Sequence, residues 1–215
     1  MTYINYMTSF NSQCGQDLFI VTALKKKRSG TFLEIGSHDP IRINNTFLLE
    51  TTFGWRGVMV EYDQSYLQSY IAKRPNSHHV MQDATQIDYI AEFQKANMPT
   101  SIDYLQIDLD VDNRSTLDTL IRLDQTVFDT YTFATVTFEH DVYRGNYFDT
   151  RKISREIFAK RGYVCVFQDV DGGGGPFEDW YVHPSLIDMT HVQTFKSDSE
   201  RNYIGDIKAK LSTYL

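Results

Sequence analysis

Seven short apolar runs, separated by stretches of helical periodicity, constrain this chain more than any other feature. The runs span residues 31–35, 58–62, 79–81, 104–109, 133–138, 163–167 and 180–182. Between them, apolar side chains fall three and four apart, as in Tyr66, Leu67, Tyr70 and Ile71 and again in Leu117, Leu120 and Ile121. That spacing collects them on one face of a helix. Strands alternating with helices predict an α/β fold, a doubly wound, mainly parallel seven-stranded sheet with helices on both faces. Ahead of the first strand, Asp17 to Lys27 carries Leu18, Phe19, Val21, Thr22 and Leu24 on an apolar side and predicts a helix packed on the sheet. The basic run Lys25 to Arg28 reads as its last turn, complementing the helix dipole. Another short helix is expected through Ile204 to Leu211. No repeat or Pro-rich linker divides the 215 residues, so one domain is expected. It comprises an N-terminal helical extension over about 1–29, a core over about 30–184 and a C-terminal segment over about 185–215.

Composition excludes several classes. Hydrophobic residues make up 41% and charged residues 23%, which fits a globular chain and neither a disordered nor a fibrous one. The formal charge of −7 argues against nucleic acid as a partner, because phosphate binding draws on clustered Lys and Arg. No apolar run approaches the roughly 18 residues of a membrane span, and Met1 to Tyr6 lacks the layout of a secretory signal, so a cytoplasmic protein without membrane insertion is expected. Cys14 and Cys165 stand far apart, form no metal-type pair and are read as packing residues. Oligomeric state is not legible.

In open parallel sheets ligands collect beyond the carboxyl ends of the strands. The first strand closes as Glu34-Ile35-Gly36-Ser37-His38-Asp39-Pro40, where Gly36 allows a tight turn close to a ligand. The G-x-G-x-x-G arrangement of a pyrophosphate loop is missing, because Ser37 and Pro40 stand where glycines would be needed. Glu61 follows Gly36 at about the separation from which such acids bind ribose hydroxyls. Asp83-Ala84, after the third run, offers an acceptor to an exocyclic amine. Together these positions predict an adenosine site without a pyrophosphate grip, which points to S-adenosylmethionine. Asp63 and Asp83 equally suit helix N-caps.

The fourth and fifth strands end in acids, Asp108-Leu109-Asp110 and Glu139-His140-Asp141. Neighbouring like charges repel unless a cation or shared proton intervenes, so Asp108, Asp110, Glu139 and Asp141 are candidate ligands, with His140, for magnesium or manganese. Asp108 and His140 are candidate catalytic groups that orient or deprotonate an acceptor hydroxyl. Asp112 and Asn113 alternatively cap the next helix. His78, His79, His183 and His191 are read as structural or solvated.

From about residue 12 to residue 184 the chain resembles the FkbM-type family of S-adenosylmethionine-dependent methyltransferases. The resemblance rests on Ser12-Gln13-Cys14-Gly15-Gln16-Asp17, Gly30 to Gly36, Asn45 to Glu50, Gly54 to Val58, Glu61, Asp103-Tyr104-Leu105, Glu139-His140-Asp141 and Glu178 to Pro184. It implies a class I, Rossmann-like fold and O-methylation of a sugar, glycan or glycosylated small molecule. It also implies a cofactor site lined by Gln13, Gly36, Ser37, Glu61, Asp83 and Asp108, with Asn45 and Thr46 opening the helix beneath. The chain departs from the family at Pro40, where glycine is common, at Asp108 to Val111, where the pattern is D-x-E-G, and at Asp141, where Asn is common. The glycines Gly172 to Gly175 read either as a flexible loop over the acceptor or as a plain surface connection. Two rival functions are a nicotinamide-dinucleotide oxidoreductase and a non-catalytic nucleoside-binding protein.

Overall fold

The computed structural model describes residues 10–215; the reading of Met1 to Tyr6 lies outside them. Among the described residues eight strands build one sheet: β1 (Thr31–Ile35), β2 (Arg56–Glu61), β3 (His78–Met81), β4 (Ser101–Ile107), β5 (Thr132–Glu139), β6 (Val164–Asp171), β7 (Pro176–Val182) and β8 (Asn202–Tyr203). Their order is β3-β2-β1-β4-β5-β7-β6-β8. Only β7 runs antiparallel to its neighbours β5 and β6, and every other pairing is parallel. All seven expected strands are present. The eighth is a two-residue parallel strip at the β6 edge, too short to leave an apolar signature in the sequence.

Among the described residues eight α-helices cover the sheet: α1 (Gln16–Ala23), α2 (Phe47–Phe53), α3 (Leu67–Lys73), α4 (Tyr89–Lys95), α5 (Ser115–Thr126), α6 (Phe148–Lys160), α7 (Met189–Gln193) and α8 (Ile204–Ser212). Because successive strand residues point to opposite faces, β1 feeds two cores. Leu33 and Ile35 join the cluster holding Tyr89 and Phe93 of α4, Leu120 and Leu123 of α5 and Phe158 of α6. Phe32 joins the opposite cluster, with Phe19 of α1, Leu49 of α2 and Leu211 of α8.

Helix α1 departs from its expected form. It ends at Ala23, and Lys25 and Lys26 turn off it with positive φ, 51° and 58°. The basic run serves as a set of tethers: Lys25 pairs with Asp188, Lys27 with Asp103, and Lys26 donates to the Leu215 carbonyl. All eight α1 residues are buried, because the C-terminal segment packs over the helix's outer side through Ile207 and Leu211. Phe19 sits at its centre, 5.1 Å from the Trp180 ring and 6.1 Å from that of Phe167.

Candidate functional site

The β1 end is built around Gly36. Its φ is 84°, and a Cβ there would lie 1.8 Å from the Asp108 carbonyl oxygen, so only glycine lets β1 and β4 release their chains side by side. Beyond it the loop to α2 is fixed by a buried polar network. Arg74 donates to Glu50 at 2.8 Å, to Asn44 at 2.8 Å, to Thr46 at 2.6 Å and to the Pro40 carbonyl at 3.3 Å. Thr46 and Asn44 in turn donate to Glu34 at 2.9 and 3.2 Å. Burial pushes the Glu34 carboxyl above its usual range, against the opposing pull of Arg74. Positive φ falls on Gly36, His38 and Ile43, so Pro40 occupies a position that needs no glycine. Asp39 spans it by accepting from the Ile41 and Arg42 amides at 2.9 and 2.7 Å.

The N-terminal segment completes this wall. Asp17 accepts from the Asn11 amide at 2.7 Å and the Ser12 amide at 3.1 Å, and Ser12 bridges to Ile43. Gln13 is thereby presented to the cleft while Gln16 points inward, donating to Glu178 at 3.0 Å.

These elements enclose a cleft of about 420 Å³ at the carboxyl ends of β1, β2 and β4. Of the expected cofactor residues, Gln13, Gly36, Ser37, Asn45, Glu61 and Asp108 line it, joined by Glu34, Gln106 and Asp110. Glu61 accepts from the His38, Tyr62 and Asp63 amides at 2.8, 2.8 and 2.9 Å, which aims its carboxylate across the cleft mouth. A second hollow of about 530 Å³, lined by Tyr62, Asp83, Ala84 and Thr85, shares Leu109 and Asp110 with the first. Thr46 lies beneath the floor, fully buried in the Glu34–Arg74 network. Asp83 and Asp63 act as local caps, accepting from Thr85 at 2.9 Å and Ser65 at 2.8 Å.

The lining is acidic and contains no Lys or Arg; His38 is its one basic side chain. It also holds two buried acceptors without a donor, Asn45 Oδ1 and Gln106 Oε1. Gln106 escaped the sequence analysis although it stands two residues before Asp108 on the same side of β4, a signal that strand periodicity supplies. Tyr62, 75% exposed beside Glu61, was missed likewise.

At the β4 and β5 ends Asp108 and Glu139 meet side chain to side chain, and Glu139 also contacts Asp141. Burial, then the Asp108 charge, pushes Glu139 far above its usual range; burial also raises Asp108. Beneath them Glu178 lies opposite Glu139 in the β5–β7 register. Burial and the Asp108 charge push it up to about 8, although Trp180 and Gln16 donate to it at 2.6 and 3.0 Å.

The proposed metal set does not form. Among the described residues, the one group of three whose ligand atoms lie within 4.8 Å of one another is His140, Asp169 and Asp179. Asp108, Asp110 and Glu139 are not part of it, and Asp110 is exposed, accepting from the Asp112 amide at 3.1 Å. His140 is fully buried with Nε2 turned to Asp169 and Asp179, 3.5 and 3.6 Å away, so it is not in the cleft with Asp108. Those two acids are already neutralised: Arg151 pairs with Asp169 at 3.0 Å, and Arg155 with Asp169 at 3.0 Å and Asp179 at 2.7 Å. Neither group fits a divalent cation.

Gly172 to Gly175 form the turn of the β6–β7 hairpin. The Asp171 carboxylate accepts from the Gly173 and Gly175 amides at 2.7 and 3.0 Å, and a Cβ on Gly175 would strike Tyr143 at 2.4 Å. Of the two readings, the run takes the form of a surface connection, exposed at Gly172 to Gly174 and held at Gly175. The four histidines read as structural each bond within the protein, His78 to Glu92 and His79, His183 and His191 to backbone carbonyls.

No family model matches the chain, and no curated protein does. Solved structures do. A candidate rRNA-methylase from Clostridium thermocellum is 10% identical, with 80% of this chain and 97% of that one covered at a TM-score of 0.52. A TehB-like S-adenosylmethionine-dependent methyltransferase from Corynebacterium glutamicum is 13% identical, covering 78% and 86% at a TM-score of 0.50. The likeness is one of architecture: the chain has the Rossmann-like fold of these methyltransferases.

Proposed function

We propose that the protein transfers the methyl group of S-adenosylmethionine. The observation that carries this is the charge of the cleft: Glu34, Glu61, Asp108 and Asp110 line it without a Lys or Arg, and Asn45 Oδ1 and Gln106 Oε1 wait for donors. A dinucleotide brings a pyrophosphate that needs N–H groups and cations. S-adenosylmethionine brings a sulfonium, an ammonium and one carboxylate, a net cation complementary to this lining. Its ammonium suits the unpaired amide oxygens of Gln106 and Asn45, its ribose the Glu61 carboxylate, and its adenine the hollow beside Tyr62, Asp83 and Ala84, where an exposed ring offers a stacking face.

The finer reading rests on the FkbM-type resemblance: O-methylation of a sugar, glycan or glycosylated small molecule. Tyr143 and Phe148, 48% and 55% exposed on the segment after β5, support it as flat faces for a sugar ring. Alignment of hydroxyl and sulfonium supplies most of the rate.

Calorimetric titration with S-adenosylmethionine, S-adenosylhomocysteine and a nicotinamide dinucleotide tests the reading. Binding of both sulfur nucleosides, the sulfonium form more tightly, is expected; binding of the dinucleotide would return the chain to the oxidoreductase class. A labelled-methyl screen over free and glycosylated alcohols then tests the acceptor class. Nucleoside binding with no turnover on any acceptor would favour the non-catalytic alternative.

A further inference from the structure

With His140 sealed away and no metal set at the strand ends, an acceptor needs another proton sink. Asp108 and Glu139 follow Ile107 and Phe138, which pair in the parallel β4–β5 register. Their carboxyls touch, and Glu139 touches Asp141 as well. Ionised carboxylates only accept hydrogen bonds, so a chain of three carboxyls in contact requires a proton. Arg144 pairs with Asp141 at 2.8 Å. Neither Asp108 nor Glu139 has an arginine or lysine partner among the described residues. The middle member, Glu139, is therefore the protonated one, and it shares its hydrogen with Asp108. Independently, the unpaired Gln106 Oε1 opens into the cleft beside Asp108, which places a ligand donor next to this pair.

We propose that Asp108 and Glu139 work as one acid–base unit, a carboxyl pair holding a single proton, and that Asp108 receives the acceptor's proton during methyl transfer. The inference rests on the methyl-transfer reading and deepens it. The acceptor's lone pair forms the new bond to the methyl carbon, the carbon–sulfur bond breaks with its electrons remaining on sulfur, and the acceptor's proton passes to Asp108. The pair thereby changes from a monoanion to a neutral diacid as the sulfonium becomes a thioether. Two opposite charges disappear together, which suits a poorly solvated site. Glu139 is the positioning residue, sharing its proton so that Asp108 stays a usable base. The other titratable groups facing the pair are His38 from the β1 loop, Asp141 and Tyr143 from the segment after β5, Glu178 from β7 and Cys14 from the N-terminal wall.

The test needs no acceptor. S-adenosylhomocysteine displaces S-adenosylmethionine from the full chain in a calorimeter, in two buffers of different ionisation enthalpy. The titration is repeated across the range of about pH 6–7 to which buried catalytic carboxyls are tuned. Loss of the sulfonium should draw a fraction of a proton into the wild-type protein. Glu139→Gln keeps a hydrogen-bond donor but no exchangeable acid, and Asp108→Asn removes the base. Both should lose most of the uptake; Glu139→Gln, outside the cleft lining, should retain nucleoside binding, whereas Asp108→Asn, within it, should bind the sulfonium form more weakly. Uptake unchanged in Glu139→Gln, or absent from the wild type while both nucleosides bind, overturns the proposal alone. Failure of the wild type to bind either nucleoside overturns the methyl-transfer reading with it.

Discussion

Two groups of buried and half-buried acids lie only a few residues apart in this sheet, and they have been given opposite partners. Asp169 and Asp179, on β6 and β7, face α6 and are clasped by Arg151 and Arg155 with His140 against them. Although burial opposes it, the Arg155 and His140 contacts hold Asp179 well below the usual carboxylate range. Asp108, Glu139 and Glu178 have no guanidinium, and burial raises all three. A paired acid is structure, because its charge is spent on a neighbour. An unpaired one keeps an appetite for a proton or a ligand cation. The difference separates the framework of the domain from its working end.

The sharpest way to break this comparison is to unpair the first group. Arg155→Met should leave Asp179 charged and fully buried and lower unfolding stability by about 3 kcal/mol, read as a fall in the urea midpoint. Asp108→Asn removes a charge that nothing balances and should shift stability by no more than about 1 kcal/mol, in either direction. Equal losses in the two variants would mean that the acids at the strand ends are also structural.

A pH series compares the groups without changing a partner. A glutamate carboxyl ordinarily titrates near 4.5, and burial raises that of Glu178 to about 8 in the fold, so the native state holds a proton that the unfolded chain has already lost. Its stabilisation is fully present below the unfolded pKa and is lost as pH rises toward the folded one. Unfolding free energy should therefore decline between those values by on the order of a few kcal/mol. Glu178→Gln should flatten part of that decline, and a profile identical to wild type would show that Glu178 does not hold the proton.

Smaller effects probe ligand recognition. Glu61→Gln should weaken S-adenosylmethionine by roughly tenfold, about 1.4 kcal/mol, because one charged acceptor becomes a weaker one. The preference for S-adenosylmethionine over S-adenosylhomocysteine should fall by about a factor of two between low and physiological salt; a preference independent of salt would mean that the lining's charge does not select the sulfonium.

The sheet was legible because its strands are apolar runs bounded by periodic helices. Gly36, Glu61 and Asp108 were legible because strand ends are where open sheets bind. What escaped depends on neighbours distant in sequence. His140 follows a strand end as a base would, but its environment comes from Asp169, Asp179 and α6, brought together only by the antiparallel β7. The same strand sets Glu178 beneath Asp108. The burial of α1 on all sides depends on Ile207 and Leu211, and the glycine run becomes a fixed turn only because Asp171 and Tyr143 meet it. Local periodicity carries none of these contacts.

The most direct measurement is a crystal structure of the protein with S-adenosylmethionine bound. The ribose is expected on Glu61, the α-ammonium at Gln106 Oε1 and Asn45 Oδ1, and the sulfonium methyl turned toward Asp108 and Glu139. A nucleoside seated outside this cleft, or one with its carboxylate against Asp108, would contradict it.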